Sequence, residues 1–293
     1  MFKKILLTVL LLSLFLPIAV FLVTYFTGYE IYRDVSYGAG EDNVMDIYLP
    51  KKSYTKESKG CVLFIHGGSW SGGDKSEEAF RCRLLASRGY IAATMNYTLW
   101  TEETAEEYSV LDVLDEIDTA LLKLREFGEE LNIKIDKAAT SGYSAGAHLS
   151  MLYSFSRAES APMEIVFVSN MAGPADISPR VWGNDMAKRV GRRLTGAELT
   201  DEMLDTEETK ELLSSVSPVT YISEVTPPTI IMHGGRDNVV PIGNAETLID
   251  KLESCNISYE YVFLKNSDHS LIQNPIKHFG YYKLMLEYCG KYF

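Results

Sequence analysis

Gly142-Tyr143-Ser144-Ala145-Gly146 is the stretch on which the reading of this chain turns. It lies where a short apolar run, Lys137 to Ser141, gives way to a helix-prone stretch, Ala145 to Arg157. A G-x-S-x-G turn between strand and helix puts the serine on a sharp backbone bend, and the flanking glycines leave room for it. The Ser144 hydroxyl then projects above the strand end, at the N-terminus of the helix. The pentapeptide alone recurs by chance in many chains. The strand before it and the helix after it make Ser144 a candidate nucleophile.

On either side of that turn, short apolar runs alternate with longer helical patterns. Strands are expected at Glu30 to Tyr37, Val44 to Leu49, Cys61 to His66, Tyr90 to Asn96, Lys137 to Ser141, Glu164 to Ser169, Thr229 to His233 and Tyr259 to Leu264. Helices are expected at Ser76 to Ser87, Glu106 to Phe127, Ala145 to Arg157, Ile242 to Ser254 and Ile276 to Cys289. Val110, Val113, Leu114, Ile117, Leu121 and Leu124 recur at three- and four-residue steps, the mark of an amphipathic helix. Continuous apolar strands alternating with helices imply an α/β fold, a mostly parallel sheet of eight strands with helices on both faces. The first two strands follow each other without a helix and should form an antiparallel edge. Residues 174–221 break the alternation: they are polar, charge-rich and helix-prone, and read as a small helical cap or lid over one end of the sheet. Their spacing assigns none of them a role.

The chain has 293 residues, 46% hydrophobic and 23% charged, the composition of a folded globular protein. With 40 acidic and 28 basic side chains its net charge is −12. That balance argues against nucleic acid as the main partner, because phosphate binding needs a basic surface. Four widely spaced cysteines, with no C-x-x-C, form neither a disulfide scaffold nor a metal-ligand cluster. They read as buried or free thiols, and no metal or cofactor is expected.

From Ile5 to Thr27 no residue is charged, and Lys3 and Lys4 precede the run. At about 1.5 Å per helical residue it spans roughly 34 Å, against a hydrocarbon core of about 30 Å. Residues 1–28 are therefore expected to form an uncleaved transmembrane signal-anchor. The lysines belong on the cytoplasmic side, and residues 29–293 form an extracytoplasmic domain. The alternative is a cleaved signal and secretion, but the apolar core is longer than a signal peptide needs and no A-x-A site follows it. Oligomeric state is open.

A serine hydroxyl is a weak nucleophile until a base takes its proton and an acid orients that base. On this fold the chain order is Ser, then Asp or Glu, then His. His269, in Asn266-Ser267-Asp268-His269-Ser270 after the last strand, is the preferred base, with His278 as a weaker candidate inside the last helix. His233 ends a strand before Gly234-Gly235 and reads as structural. His148, four residues past Ser144, should point away from the reaction side and serve in packing or hydrogen bonding. Asp237 follows the strand ending at His233 and is the preferred acid; Asp268, Asp176 and Asp185 are weaker rivals. The negative oxygen of a tetrahedral intermediate needs backbone donors. His66-Gly67-Gly68-Ser69-Trp70 matches the H-G-G-x pattern that supplies one, so the N–H groups of Gly68, Ser69 and Ala145 form the candidate oxyanion hole. Trp70 is placed to line an acyl pocket or simply to pack.

With these motifs in order, the chain resembles α/β-hydrolase carboxylesterases of the esterase/lipase group related to hormone-sensitive lipase, and among them feruloyl-esterase-like enzymes with His-Gly-Gly-x-Trp. The resemblance runs from about Tyr32 to the C-terminus and includes Asp46-Ile47-Tyr48-Leu49-Pro50 and Asn96-Tyr97. It implies a serine hydrolase that cleaves carboxylic esters through an acyl-enzyme, with Ser144 as nucleophile, His269 as base and then acid, and Asp237 as orienting carboxylate. Ser69 departs from lipase-type members, which carry a third glycine there. The substrate would be a small-molecule or polysaccharide ester. The His-Gly-Gly-x-Trp segment also resembles kynurenine formamidases, which makes an aryl formamide the alternative substrate. A non-catalytic binding module on a hydrolase scaffold is the reading from a different class, and the presence of both serine and histidine speaks against it.

Overall fold

In a computed structural model, which describes Tyr25, residues 27–51 and residues 60–293, one sheet of eight strands carries the molecule. In chain order these are β1 (Tyr29–Ser36), β2 (Val44–Pro50), β3 (Gly60–Ile65), β4 (Ile91–Met95), β5 (Lys137–Tyr143), β6 (Glu164–Met171), β7 (Thr229–Gly234) and β8 (Tyr259–Leu264). Their spatial order is β1-β2-β4-β3-β5-β6-β7-β8. β1 and β2 pair antiparallel, as do β2 and β4, and every other pair is parallel. The antiparallel edge follows from the lack of a crossover helix between the first two strands.

β3 and β7 are buried at every residue, because helices cover both faces of the central sheet. The edge strands β1 and β8 alternate or stay partly exposed instead. Leu63 and Ile65 of β3 face one apolar layer with Val113, Ile117 and Leu121 of α2 (Val110–Glu130). Val62 and Phe64 face the other, with Leu85 of α1 (Ala79–Ala86) and Met285 of α8 (Pro275–Tyr292). Each such side chain removed from water contributes about 1.5–3 kcal/mol. α3 (Ala145–Ser156) and α7 (Gly243–Ser254) complete the face that α2 begins.

Between β6 and β7 the chain forms no strand. It makes α4 (Pro179–Trp182), α5 (Asn184–Thr195) and α6 (Glu207–Ser215), with short 3-10 turns at Met203–Asp205 and Pro218–Tyr221. The helix expected from Glu106 begins only at Val110, where the Ser109 hydroxyl accepts the Leu111 N–H at 3.2 Å and caps it. The helix expected from Ser76 starts as a 3-10 turn, Lys75–Glu78, capped by Asp74.

The expected membrane anchor lies almost wholly outside the described residues. Among the described residues, no helix is long and apolar enough to cross a membrane. All four cysteines are free thiols; Cys61, Cys82 and Cys289 are buried, and Cys255 is half-buried.

Candidate active site

The junction of β5 and α3 holds Ser144 at φ 55° and ψ −119°, a conformation that L-residues rarely adopt. The turn packs too closely for side chains on its glycines. A Cβ on Gly146 would lie 1.9 Å from the Ile65 carbonyl oxygen, and one on Gly142 would lie 2.3 Å from the Gly146 carbonyl carbon. The Ser144 backbone is tied at both ends: its N–H donates to Met171 O at 2.9 Å, and its carbonyl accepts from His148 at 3.0 Å.

Beyond β7, the Asp237 side chain is fully buried, and its Oδ1 accepts the N–H groups of Val239 and Val240, each at 2.9 Å. Its Oδ2 lies 2.7 Å from His269 Nδ1, and His269 Nε2 lies 3.0 Å from Ser144 Oγ. With a carboxylate against Nδ1, that nitrogen carries the proton and Nε2 presents its lone pair to the serine. Burial pushes the Asp237 carboxyl up, but the hydrogen bonds from His269, Val240 and Val239, with the nearby imidazole charge, outweigh it. They hold its pKa below the ordinary value, so the group stays ionised at neutral pH.

The loop after β3 runs against this line. Gly68, Ser69 and Trp70 take φ of 107°, 53° and 60°, and a Cβ on Gly67 would stand 3.5 Å from Ser144 Cβ. Ser69 and Ser144 line the same pocket. Ala145 is the first residue of α3, where helix N–H groups have no intrahelical acceptor. The His66 ring stacks on Tyr97 at 4.4 Å and donates from Nδ1 to Gly67 O at 2.7 Å, stiffening the start of the loop.

Among the remaining histidines and acids, His233 adjoins this line, with its Nε2 3.6 Å from Asp237 Oδ2. His278 contacts Leu271 O and the Tyr282 hydroxyl, and His233 donates to Val240 O at 3.1 Å. Asp268 is exposed and accepts from Ser270; Asp176 pairs with Arg180, and Asp185 with Lys188. His148 packs and hydrogen-bonds in the interior, as expected. It stands directly behind the pocket wall, its Nδ1 accepting the Trp70 indole N–H at 3.2 Å and its Nε2–H donating to Val216 O at 2.8 Å. Burial pushes its pKa down to about 4. Trp70 therefore both packs and lines the pocket.

Over Ser144 lies a pocket of about 480 Å³, its open mouth included. Trp182 of α4 and Met186, Arg189, Val190 and Arg193 of α5 wall one side of it. These residues follow an i, i+3, i+4, i+7 stripe along α5 that the sequence carried, but nothing marked that stripe as facing a site rather than the core. Tyr143 was also missed. Its hydroxyl donates to the His269 carbonyl at 2.8 Å, from a motif position that accepts any residue.

The chain is 25% identical to a probable isoprenylcysteine alpha-carbonyl methylesterase of Arabidopsis thaliana, over 86% of this chain and 61% of that protein. It is 24% identical to esterase LipC of Mycobacterium tuberculosis, over 81% of this chain and 59% of that one. The chain thus spans about 60% of the length of these relatives. A solved truncated form of a carbohydrate esterase from gut microbiota superposes with a TM-score of 0.73 at 18% identity, covering 90% of this chain and 96% of that one, which establishes the shared α/β-hydrolase fold. The profile of the BD-FAE family matches residues 45–252, taking in the loop after β3, the serine turn and Asp237 and stopping before His269. That match covers more than two thirds of the chain, which accordingly belongs to the BD-FAE family.

Proposed function

We propose that this chain is a serine hydrolase of carboxylic esters that works through an acyl-enzyme. The observation that carries the proposal is the hydrogen-bonded line from Asp237 through His269 to Ser144 at the floor of the pocket. Family membership and the esterase relatives support the same reading.

In this mechanism His269 Nε2 takes the Ser144 proton as Oγ attacks the ester carbonyl. Asp237 holds the imidazole in the tautomer that can do so and stabilises the imidazolium that forms. The developing oxyanion is met by the N–H groups of Ala145, at the start of α3, and of Gly68 and Ser69, in the left-handed loop after β3. The alcohol leaves with the proton from His269. Water then attacks the acyl-enzyme through the same steps in reverse.

Within this reading, residues 174–221 act as a cap that shapes one pocket wall, and residues 1–28 act as a membrane anchor. The charge-free run from Ile5 to Thr27 supports the anchor. The test compares the full chain with Ser144→Ala on p-nitrophenyl acetate, butyrate and octanoate, with methyl ferulate and an aryl formamide in the panel. Ester hydrolysis by the wild type that drops at least about a thousandfold in the variant is expected. No ester turned over by folded protein would sink the proposal, and turnover of the formamide alone would assign a formamidase.

A further inference from the structure

Helix α5 carries four basic side chains in two stripes. Lys188 and Arg192, one turn apart, are matched by acids: Lys188 lies 3.1 Å from Asp185 and 2.7 Å from Asp201, and Arg192 lies 2.8 Å from Glu102 and 2.6 Å from Glu198. Arg189 and Arg193, also one turn apart, line the pocket that holds Ser144. Neither has a carboxylate partner among the described residues. The polar contact of Arg189 is the Met186 sulfur at 4.0 Å, and Arg193 rests on the Trp100 ring at 5.6 Å. Stacking on a ring face leaves the guanidinium N–H groups free to donate.

The pocket lining contains no aspartate or glutamate. In a chain of net charge −12, Asp185 and Glu198 share a second groove with Arg189 but are engaged by Lys188 and Arg192, so one stripe of α5 is neutralised and the other is left without an ion pair. Two uncompensated guanidinium groups over a nucleophile create a local positive field inside a negative molecule, which selects an anion at that spot. Their planar forks suit a carboxylate.

We infer that the substrate carries a carboxylate on the acyl or the alcohol half of its ester, and that Arg189 and Arg193 bind it. The inference rests on the esterase reading, and it makes the two arginines specificity determinants rather than catalytic groups.

The test uses two rigid pairs that differ only in charge. Monomethyl terephthalate against methyl 4-carbamoylbenzoate places the carboxylate on the acyl half; 4-acetoxybenzoate against 4-acetoxybenzamide places it on the alcohol half. Within one pair, kcat/KM should favour the carboxylate by about tenfold, shrinking as salt is raised. The ratio should fall to about one in the Arg189→Gln/Arg193→Gln chain and survive in Arg189→Lys/Arg193→Lys. Because each ratio is read within one protein, a general loss of activity cancels. No preference in either pair, or a preference that survives glutamine, overturns the inference, while turnover of the neutral esters separately upholds the esterase reading. Terephthalate binding to Ser144→Ala, followed by tryptophan fluorescence, tests the arginines even if no ester reacts. The glutamine pair should weaken binding about tenfold, and equal binding overturns the inference.

Discussion

Tyr143 shows how much a single side chain at this site depends on its place in space. From the variable position of the serine turn, its hydroxyl donates to the His269 carbonyl at 2.8 Å, and its ring lies 5.1 Å from the imidazole. In the proposed mechanism it acts only through the histidine loop, as a positioning residue. Tyr143→Phe keeps the ring and removes the tether. It should lower kcat for p-nitrophenyl butyrate about three- to tenfold while KM stays close to wild type. An unchanged kcat would show that the loop holds His269 without it. Ser69 is the opposite case: its left-handed backbone, φ 53°, is one that glycine would take without strain, yet serine is kept there on the pocket lining.

At the scale of elements, the helices between β6 and β7 depend on a few buried hydrogen bonds at their base. The Ser217 hydroxyl accepts from Ile177 N–H at 2.9 Å and donates to Leu213 O at 2.7 Å, joining the entry of this section to its exit. Asn244 on α7 is fully buried, and its Oδ1 accepts the N–H groups of Ala175 at 2.9 Å and Asp176 at 3.1 Å. Asn244→Ala leaves both donors unpaired in the interior. It should destabilise the fold by about 2–4 kcal/mol in urea unfolding and raise KM, because α4 and α5 wall the pocket. A loss under about 1 kcal/mol would mean that water replaces the amide.

For the whole molecule, the consequential charges are those that do not form. His66, His148 and His233 are buried, and desolvation lowers the pKa of each despite the hydrogen bonds that oppose it. The folded state then binds fewer protons than the unfolded chain below the ordinary histidine value near 6.5. Stability is therefore full above about pH 6.5 and is lost as the medium is acidified toward the folded pKa of His148, about 4. Integrated over that whole range, His148 alone contributes roughly 3 kcal/mol. Asp237, whose pKa is lowered, acts in a more acidic window, since its contribution is present above the ordinary aspartate value and lost below it. Urea midpoints at pH 7.5 and pH 5 should differ markedly, and His148→Gln should flatten the difference. Equal midpoints in the wild type would contradict the assignment.

Local rules sufficed for much of this protein. The apolar runs, the helix periodicity and the absence of a crossover between the first two strands determined an eight-stranded, mostly parallel sheet. The strand-to-helix setting of the serine turn singled out Ser144, and the order of loops after it singled out Asp237 and His269, because each such feature lies within one short segment. Only the tertiary structure decided what depends on separated segments meeting: the backing of Trp70 by His148, the tether from Tyr143 to His269, and the side of α5 that faces the pocket. A stripe at helical spacing specifies a face but not its neighbour. The division of α5 into a neutralised and a bare stripe is set by acids as distant in the chain as Glu102, and packing alone brings them together.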